Sequence, residues 1–144
     1  MTGWRRLILL LWATPLATLA AHGAWSGQSA GPRLSAGKQS YAGQPLRPTA
    51  PLPPDAVINS ISWRITLLTP APPGLEIKLC SLSACITLDR LAGRQAAPLP
   101  FAPGETLRFL YAVNGQGQLR PPVQVVSNQI TVNYYWQSRS GNKA

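Results

Sequence analysis

The sequence predicts an all-β domain, a small antiparallel β-sandwich or partly open barrel of about seven strands. Short segments alternate apolar and polar residues, and 15 prolines and 12 glycines punctuate the chain. Helix signals are scarce after residue 21, and a period of two is typical of half-buried strands. A chain of 144 residues supports one ordinary core. We therefore expect one domain over residues 22–137, followed by a flexible tail over residues 138–144.

The N-terminal segment predicts a secretory signal peptide over residues 1–21. Arg5 and Arg6 form a basic start, a Leu-rich apolar run follows, and small residues end the segment. The run of about 13 residues is shorter than the ~20 that span a bilayer. This length favours cleavage over a membrane anchor. Cleavage after Ala20 or Ala21 fits the pattern, and we favour Ala21, which leaves a mature chain with no stable membrane insertion.

The excess of basic residues does not predict a nucleic-acid partner. Loss of Arg5 and Arg6 with the signal peptide lowers the formal charge from +9 to +7. The remaining basic residues are spread singly, with no cluster that would follow a phosphate backbone. We expect instead a basic surface that favours solubility and attracts anionic surfaces weakly.

The clearest strands lie in the middle of the chain. In the run of residues 60–68, polar and apolar residues alternate as far as Leu67, which predicts one buried and one wetted face. Residues 107–113 repeat the alternation, and Asn114-Gly115 predicts a turn after them. The aromatic side chains of these strands, Trp63, Phe109 and Tyr111, are predicted to be central to the core.

The last predicted strand runs from Val123 to Tyr135. Its alternation weakens at Ser127 and Asn128, so we expect a bulge there. Two other segments are predicted to be loops: residues 45–54, which contain five prolines, and residues 90–103.

The two cysteines predict a disulfide within a hairpin. Cys80 and Cys85 are the only cysteines, and an isolated pair this close is expected to be oxidised outside the cytoplasm. Pairing Cys80 with Cys85 places Leu79 opposite Ile86 and keeps the apolar residues on one face. The same register would place Glu76 opposite Asp89, and we expect pairing to fray at these like charges.

Groups that could carry catalysis are few. The only carboxylates are Asp55, Glu76, Asp89 and Glu105, and the only histidine is His22. No Gly-Xaa-Ser-Xaa-Gly or phosphate-binding loop occurs, and metal ligands are lacking. We therefore predict a protein that is not an enzyme, with no catalytic residue, no cofactor and no metal site.

The remaining function class is binding. Trp25, Tyr41, Tyr135 and Trp136 are candidates for positions outside the main core, where exposed aromatic residues can anchor a partner, and Trp25, Tyr135 and Trp136 are the ones suggested for such contact. The simpler interpretation is that they close the ends of the sandwich. We keep both interpretations at this stage.

The sequence resembles the flagellar FlhE family over most of the predicted mature chain. Its most specific segments are the cysteine hairpin and Ser127-Asn128-Gln129. The other segments that carry the resemblance are Gly23-Ala24-Trp25, Trp63-Arg64, Pro73-Gly74-Leu75, Leu79-Cys80-Ser81-Leu82, Leu88-Asp89, Leu107-Arg108-Phe109, Val125 and Val132-Asn133-Tyr134.

The resemblance implies a periplasmic flagellar accessory protein of β-sandwich fold without catalytic activity. It implies export-apparatus or rod proteins as partners, and a role in limiting proton leak through the export apparatus or as a chaperone in flagellum assembly. Two alternatives stay open: a general periplasmic chaperone or assembly factor, and a cell-wall carbohydrate-binding module. The resemblance does not predict an oligomeric state.

Overall fold

A computed structural model describes residues 19–138; most of the predicted signal peptide and of the predicted tail, residues 1–18 and 139–144, lies outside the described residues. The described part forms nine β-strands and contains no helix, which confirms the all-β prediction. Accordingly, it has no helix long and apolar enough to span a bilayer. The strands are β1 (Leu19–Ser29), β2 (Arg33–Ala36), β3 (Tyr41–Ala42), β4 (Val57–Leu67), β5 (Leu75–Cys80), β6 (Cys85–Leu88), β7 (Ala92–Ala96), β8 (Arg108–Val113) and β9 (Gln118–Ser138).

The strands form two antiparallel sheets. The first has the order β1-β9-β4-β7, with β2 also paired to β9, and the second has the order β3-β8-β5-β6. The long strand β9 organises the first sheet, because β2 and β1 pair with successive parts of one edge and β4 pairs with the other. The two sheets enclose one core, which is the predicted sandwich; residues 19–138 form no closed barrel.

The core consists of the inward-facing residues of both sheets. Trp63, Phe109 and Tyr111 are buried, as predicted. Two core tryptophans hydrogen-bond to the backbone. Trp63 Nε1 donates to the Arg90 carbonyl oxygen at 2.9 Å, and Trp25 Nε1 donates to the Pro103 carbonyl oxygen at 2.7 Å. Both bonds satisfy a polar atom that burial would otherwise penalise.

The prediction of a loop over residues 90–103 was wrong in part, because β7 lies within it. The β7 sequence Ala-Gly-Arg-Gln-Ala lacks apolar alternation. It forms a strand because its backbone pairs with β4, from Ser60 opposite Ala96 to Arg64 opposite Ala92. An edge strand held by backbone hydrogen bonds needs little side-chain burial, so its sequence gives no periodic signal.

The bulge in β9 falls one residue before the predicted position. Ser127 pairs with Thr66 and Val125 pairs with Leu67, which leaves Val126 as the extra residue. Val125 and Asn128 are both fully buried although three positions separate them. In a regular strand such residues point to opposite faces, so one inserted residue is required.

The cysteine hairpin has the predicted register. Cys80 pairs with Cys85, Leu79 with Ile86 and Ile77 with Leu88. The two cysteines form a disulfide with a Cα–Cα distance of 4.0 Å. The pairing ends at Ile77 and Leu88, one step before Glu76 would meet Asp89, as the like charges led us to expect.

Candidate functional site

The described residues do not assemble the ionisable groups that metal binding requires. Within residues 19–138, no three or more His, Cys, Asp or Glu side chains are placed to hold a metal ion. The Arg90 guanidinium lies 3.2 Å from Asp89, Nε to Oδ1, and lowers the pKa of that exposed carboxyl group. A carboxylate held ionised in this way is unsuited to donating a proton at neutral pH.

One buried polar contact links the two sheets. The Tyr111 hydroxyl donates to Asn128 Oδ1 at 2.9 Å, and Asn128 Nδ2 donates to Ser29 Oγ at 3.0 Å. Burial raises the pKa of Tyr111 above its usual range. The Tyr111 phenol therefore stays neutral, and its hydrogen bond to the Asn128 amide joins β8 to β9 and, through Ser29, to β1.

The most distinctive surface feature lies where β1 and β4 meet the end of β9. We call this end of the sheet the aromatic tip and define it by five side chains: His22, Tyr135 and Val57 form a row on one face, and Tyr134 and Trp136 lie on the opposite face. The His22 and Tyr135 ring centroids are 6.4 Å apart, and those of Tyr134 and Trp136 are 5.8 Å apart. The separations are within the range of favourable aromatic pairs.

The aromatic tip has an inner and an outer side, because successive residues of a strand point to opposite faces. Tyr134 packs against the core, and its ring lies over Gly23, where an added Cβ would approach the ring atoms to 2.8 Å. On the other side Tyr135 lies between His22 and Val57, and the Val57 side chain is 49% exposed. Apolar atoms and rings with polar groups are thus offered together, the composition typical of protein contact sites.

The structure separates the three aromatic residues that the sequence suggested for partner contact. Trp25 is 8% exposed and belongs to the core, so for this residue the structure agrees with the interpretation that it closes the sandwich. The strand alternation of β1 turns its side chain inward, toward the acceptor at Pro103. Tyr135 and Trp136 are half-buried and belong to the aromatic tip.

The aromatic tip also contains residues that sequence reasoning did not select. His22, Val57 and Tyr134 come from three strands, and only the pairing of β1, β9 and β4 brings them together. The run Tyr134-Tyr135-Trp136 was the one local signal for this site. The predicted cleavage residue Ala21 pairs with Trp136, so cleavage after Ala21, which remains a prediction, would make His22 of the aromatic tip the first residue.

A second exposed feature is the loop of the cysteine hairpin. The disulfide closes the loop, and Ser81 Oγ accepts hydrogen bonds from the Ser83 and Ala84 amides at 3.3 and 3.2 Å. Leu82 projects from this loop with a fully exposed side chain. The loop is therefore ordered in advance, which lowers the entropic cost of any contact it makes.

Together these features define a class of protein: a disulfide-linked β-sandwich that offers ordered surface features. The family model "Flagellar protein FlhE" matches residues 31–135. This chain belongs to the FlhE family of flagellar proteins.

Individual relatives agree with this assignment along nearly their whole length. The chain is 35% identical over 130 residues to "Flagellar protein FlhE" of Escherichia coli strain K12, covering 90% of this chain and 98% of the relative. It is 37% identical over 135 residues to the Salmonella typhimurium protein of the same name, covering 93% and 99%. A solved structure titled "Crystal Structure of FLHE" superimposes with a TM-score of 0.69 at 36% identity, covering 78% of this chain and 96% of that one.

Proposed function

We propose that this protein is a periplasmic binding protein of the flagellum that docks on rod or export-apparatus components through its aromatic tip. The main support for this proposal is that the chain belongs to a family of flagellar proteins. Three sequence features support it: the signal peptide predicted over residues 1–21, cleavage expected after Ala21, and a cysteine pair suited to an oxidising compartment. In this proposal the protein has no catalytic activity and acts by occupying a surface of its partner.

The aromatic tip suits this role because rings with polar groups gain both apolar burial and hydrogen bonds on contact. Tyrosine and tryptophan are enriched among the residues that dominate interface energies. Tyr135 and Trp136 are half-buried, so their free sides are available while the remainder is fixed by neighbouring strands. A rod or export-apparatus component that binds this end of the sandwich would be held in place by this protein. In this way the protein would limit proton leak through the export apparatus.

Deletion of the gene tests the role in proton leak. Cells without the protein, placed in acid medium, are expected to show a faster fall of cytoplasmic pH than wild-type cells. The wild-type gene should restore the slower fall. A gene carrying Tyr135→Ala and Trp136→Ala should fail to restore it at equal protein level. Leu68→Ala with Val126→Ala is the matched control, since both side chains are exposed elsewhere, and it should restore the phenotype.

Two results would contradict the proposal. An unchanged pH response in the deletion strain would remove the role in proton leak. If the Tyr135→Ala, Trp136→Ala variant restored the slower fall of cytoplasmic pH as completely as the control does, the aromatic tip would not be the binding surface.

A further inference from the structure

The outer face of the first sheet, which points away from the core, is polar around two arginines. The register aligns two rows of four residues across β1, β9, β4 and β7: Ser26, Thr131, Ser62 and Arg94 in one row, and Gln28, Gln129, Arg64 and Ala92 in the next. We call these eight residues the arginine face. Its side chains offer hydroxyl, amide and guanidinium groups to the solvent, with Ala92 as the only apolar member.

The arginine face carries positive charge without a counter-ion. Arg64 and Arg94 are both exposed, and none of the four carboxylates of the chain belongs to these rows. The single ion pair among residues 19–138 joins Asp89 to Arg90. Arg64 and Arg94 are diagonal and not directly opposite each other, so both can occupy this face, and both exposed charges are accessible to an anion from solution.

The donors on this face are partly fixed in position. Arg94 Nη2 donates to Ser60 Oγ at 3.2 Å, and Asn133 Nδ2 donates to the same oxygen at 3.2 Å. The remaining guanidinium donors of Arg94 point to no protein acceptor, and within the described residues Arg64 makes no side-chain hydrogen bond. Arg64 lines a shallow depression of about 400 Å³, together with Ser62, Trp63, Ala92 and Gly93.

The spacing of the two arginines matches an extended peptide. Arg94 is directly opposite Ser62, and Arg64 is two residues further along β4, so the arginines are diagonal neighbours. Arg94 Nη2 donates to Ser60, however, so its guanidinium lies on the side of Ser62 away from Arg64, beside a residue that is four positions, or about 13 Å, from Arg64 along β4. In an extended chain, side chains at positions i and i+4 share a face and lie about 13 Å apart. A guanidinium group binds a carboxylate through two parallel hydrogen bonds.

We propose that the arginine face is a docking surface for an extended acidic segment of a partner protein, in which carboxylates at positions i and i+4 pair with Arg64 and Arg94. A phospholipid surface fits less well, because Ala92, the only apolar side chain of the face, is too small to enter a bilayer and the face has only two cations. The proposal rests on the charge and spacing of this face and does not depend on the flagellar role or on the aromatic tip.

A synthetic peptide provides a direct test. The probe is an acetylated, amidated and fluorescently labelled peptide with a Glu-Ser-Ser-Ser-Glu centre, and its control has Gln-Ser-Ser-Ser-Gln. Anisotropy titration of the full-length mature protein should show binding of the glutamate peptide that weakens as salt is added. The variant Arg64→Gln with Arg94→Gln should bind it at least about tenfold more weakly, the loss expected for charge-assisted hydrogen bonds.

The opposite sheet offers a closely matched control variant. Lys78 and Arg108 are also exposed diagonal neighbours, on β5 and β8, but Glu76 lies on the same face. Lys78→Gln with Arg108→Gln removes the same charge and should change the affinity by less than about twofold, as expected for surface charges outside an interface. Thermal unfolding of both variants checks that each is folded.

Each other outcome overturns the proposal. Equal weakening in the two variants would mean non-specific attraction to a basic protein. Equal affinity for the glutamate and glutamine peptides, or no detectable binding, would exclude recognition of carboxylates. Vesicles containing phosphatidylglycerol form the third arm, and binding to them that requires Arg64 and Arg94, without binding of the peptide, would assign this face to a membrane surface.

Discussion

At the scale of single residues, Asn128 has the most demanding position in the molecule. It is fully buried, it follows the bulge at Val126, and its side-chain amide contacts both Tyr111 and Ser29. A buried amide is stable only when its polar atoms are paired. This gives a physical reason for the segment Ser127-Asn128-Gln129, one of the two most specific parts of the resemblance to the family.

Removing the Tyr111 hydroxyl tests this contact. Tyr111→Phe leaves Asn128 Oδ1 buried without its donor, so the free energy of unfolding should fall by about 1–3 kcal/mol. Urea unfolding followed by tryptophan fluorescence measures the change. Tyr135→Phe is the control, because the half-buried Tyr135 hydroxyl makes no side-chain hydrogen bond within residues 19–138, and its effect should stay within about 0.5 kcal/mol. Equal effects would contradict a structural role for the contact.

Tyr111 should also make the free energy of unfolding depend on pH in the alkaline range. Burial raises the pKa of Tyr111 above that of an unfolded tyrosine, about 10. The unfolded chain then releases a proton that the folded chain keeps, so the free energy of unfolding should fall as pH rises above about 10. Tyr111→Phe should flatten this dependence in urea titrations at successive pH values. An identical slope in both proteins would show that other groups cause it.

At the scale of elements, the predictable strands are those whose side chains alternate across a buried face. Residues 60–68 and 107–113 were identified because one face of each is apolar. Strand β7 was missed because backbone pairing to β4, rather than side-chain burial, forms it. The sequence also indicated irregularity in β9, but the exact extra residue depends on which side chains the opposite sheet accepts, and that is a property of the assembled core.

The cysteine hairpin gives a prediction at this scale. Replacing both Cys80 and Cys85 with Ser frees a short loop in the unfolded chain, and the free energy of unfolding should fall by about 2 kcal/mol. Urea unfolding with and without reductant provides the comparison. Reduced wild-type protein should match the double variant, and reductant should leave the variant unchanged. An unfolding midpoint of wild-type protein that does not respond to reductant would contradict a stabilising disulfide.

At the scale of the whole molecule, two sheets hold surface features that no single segment contains. The sandwich class could be predicted because alternating segments and dense turn signals leave few other folds. The aromatic tip could not be predicted, since His22, Val57 and Tyr135 lie on three different strands. No local sequence pattern indicates which strands are neighbours in the sheet. Two of the suggested residues, Tyr135 and Trp136, do lie there, while the fold turns Trp25 into the core.

The most direct test of the binding function is recovery of partners from the periplasm. Tagged wild-type protein, crosslinked in motile cells and purified from the periplasmic fraction, should recover flagellar rod or export components above all other proteins. The Tyr135→Ala, Trp136→Ala variant should lose them, and the Leu68→Ala, Val126→Ala control should keep them. Recovery of a broad set of unrelated periplasmic proteins, or of the same flagellar components by both variants, would contradict a flagellum-specific binding protein that acts through its aromatic tip.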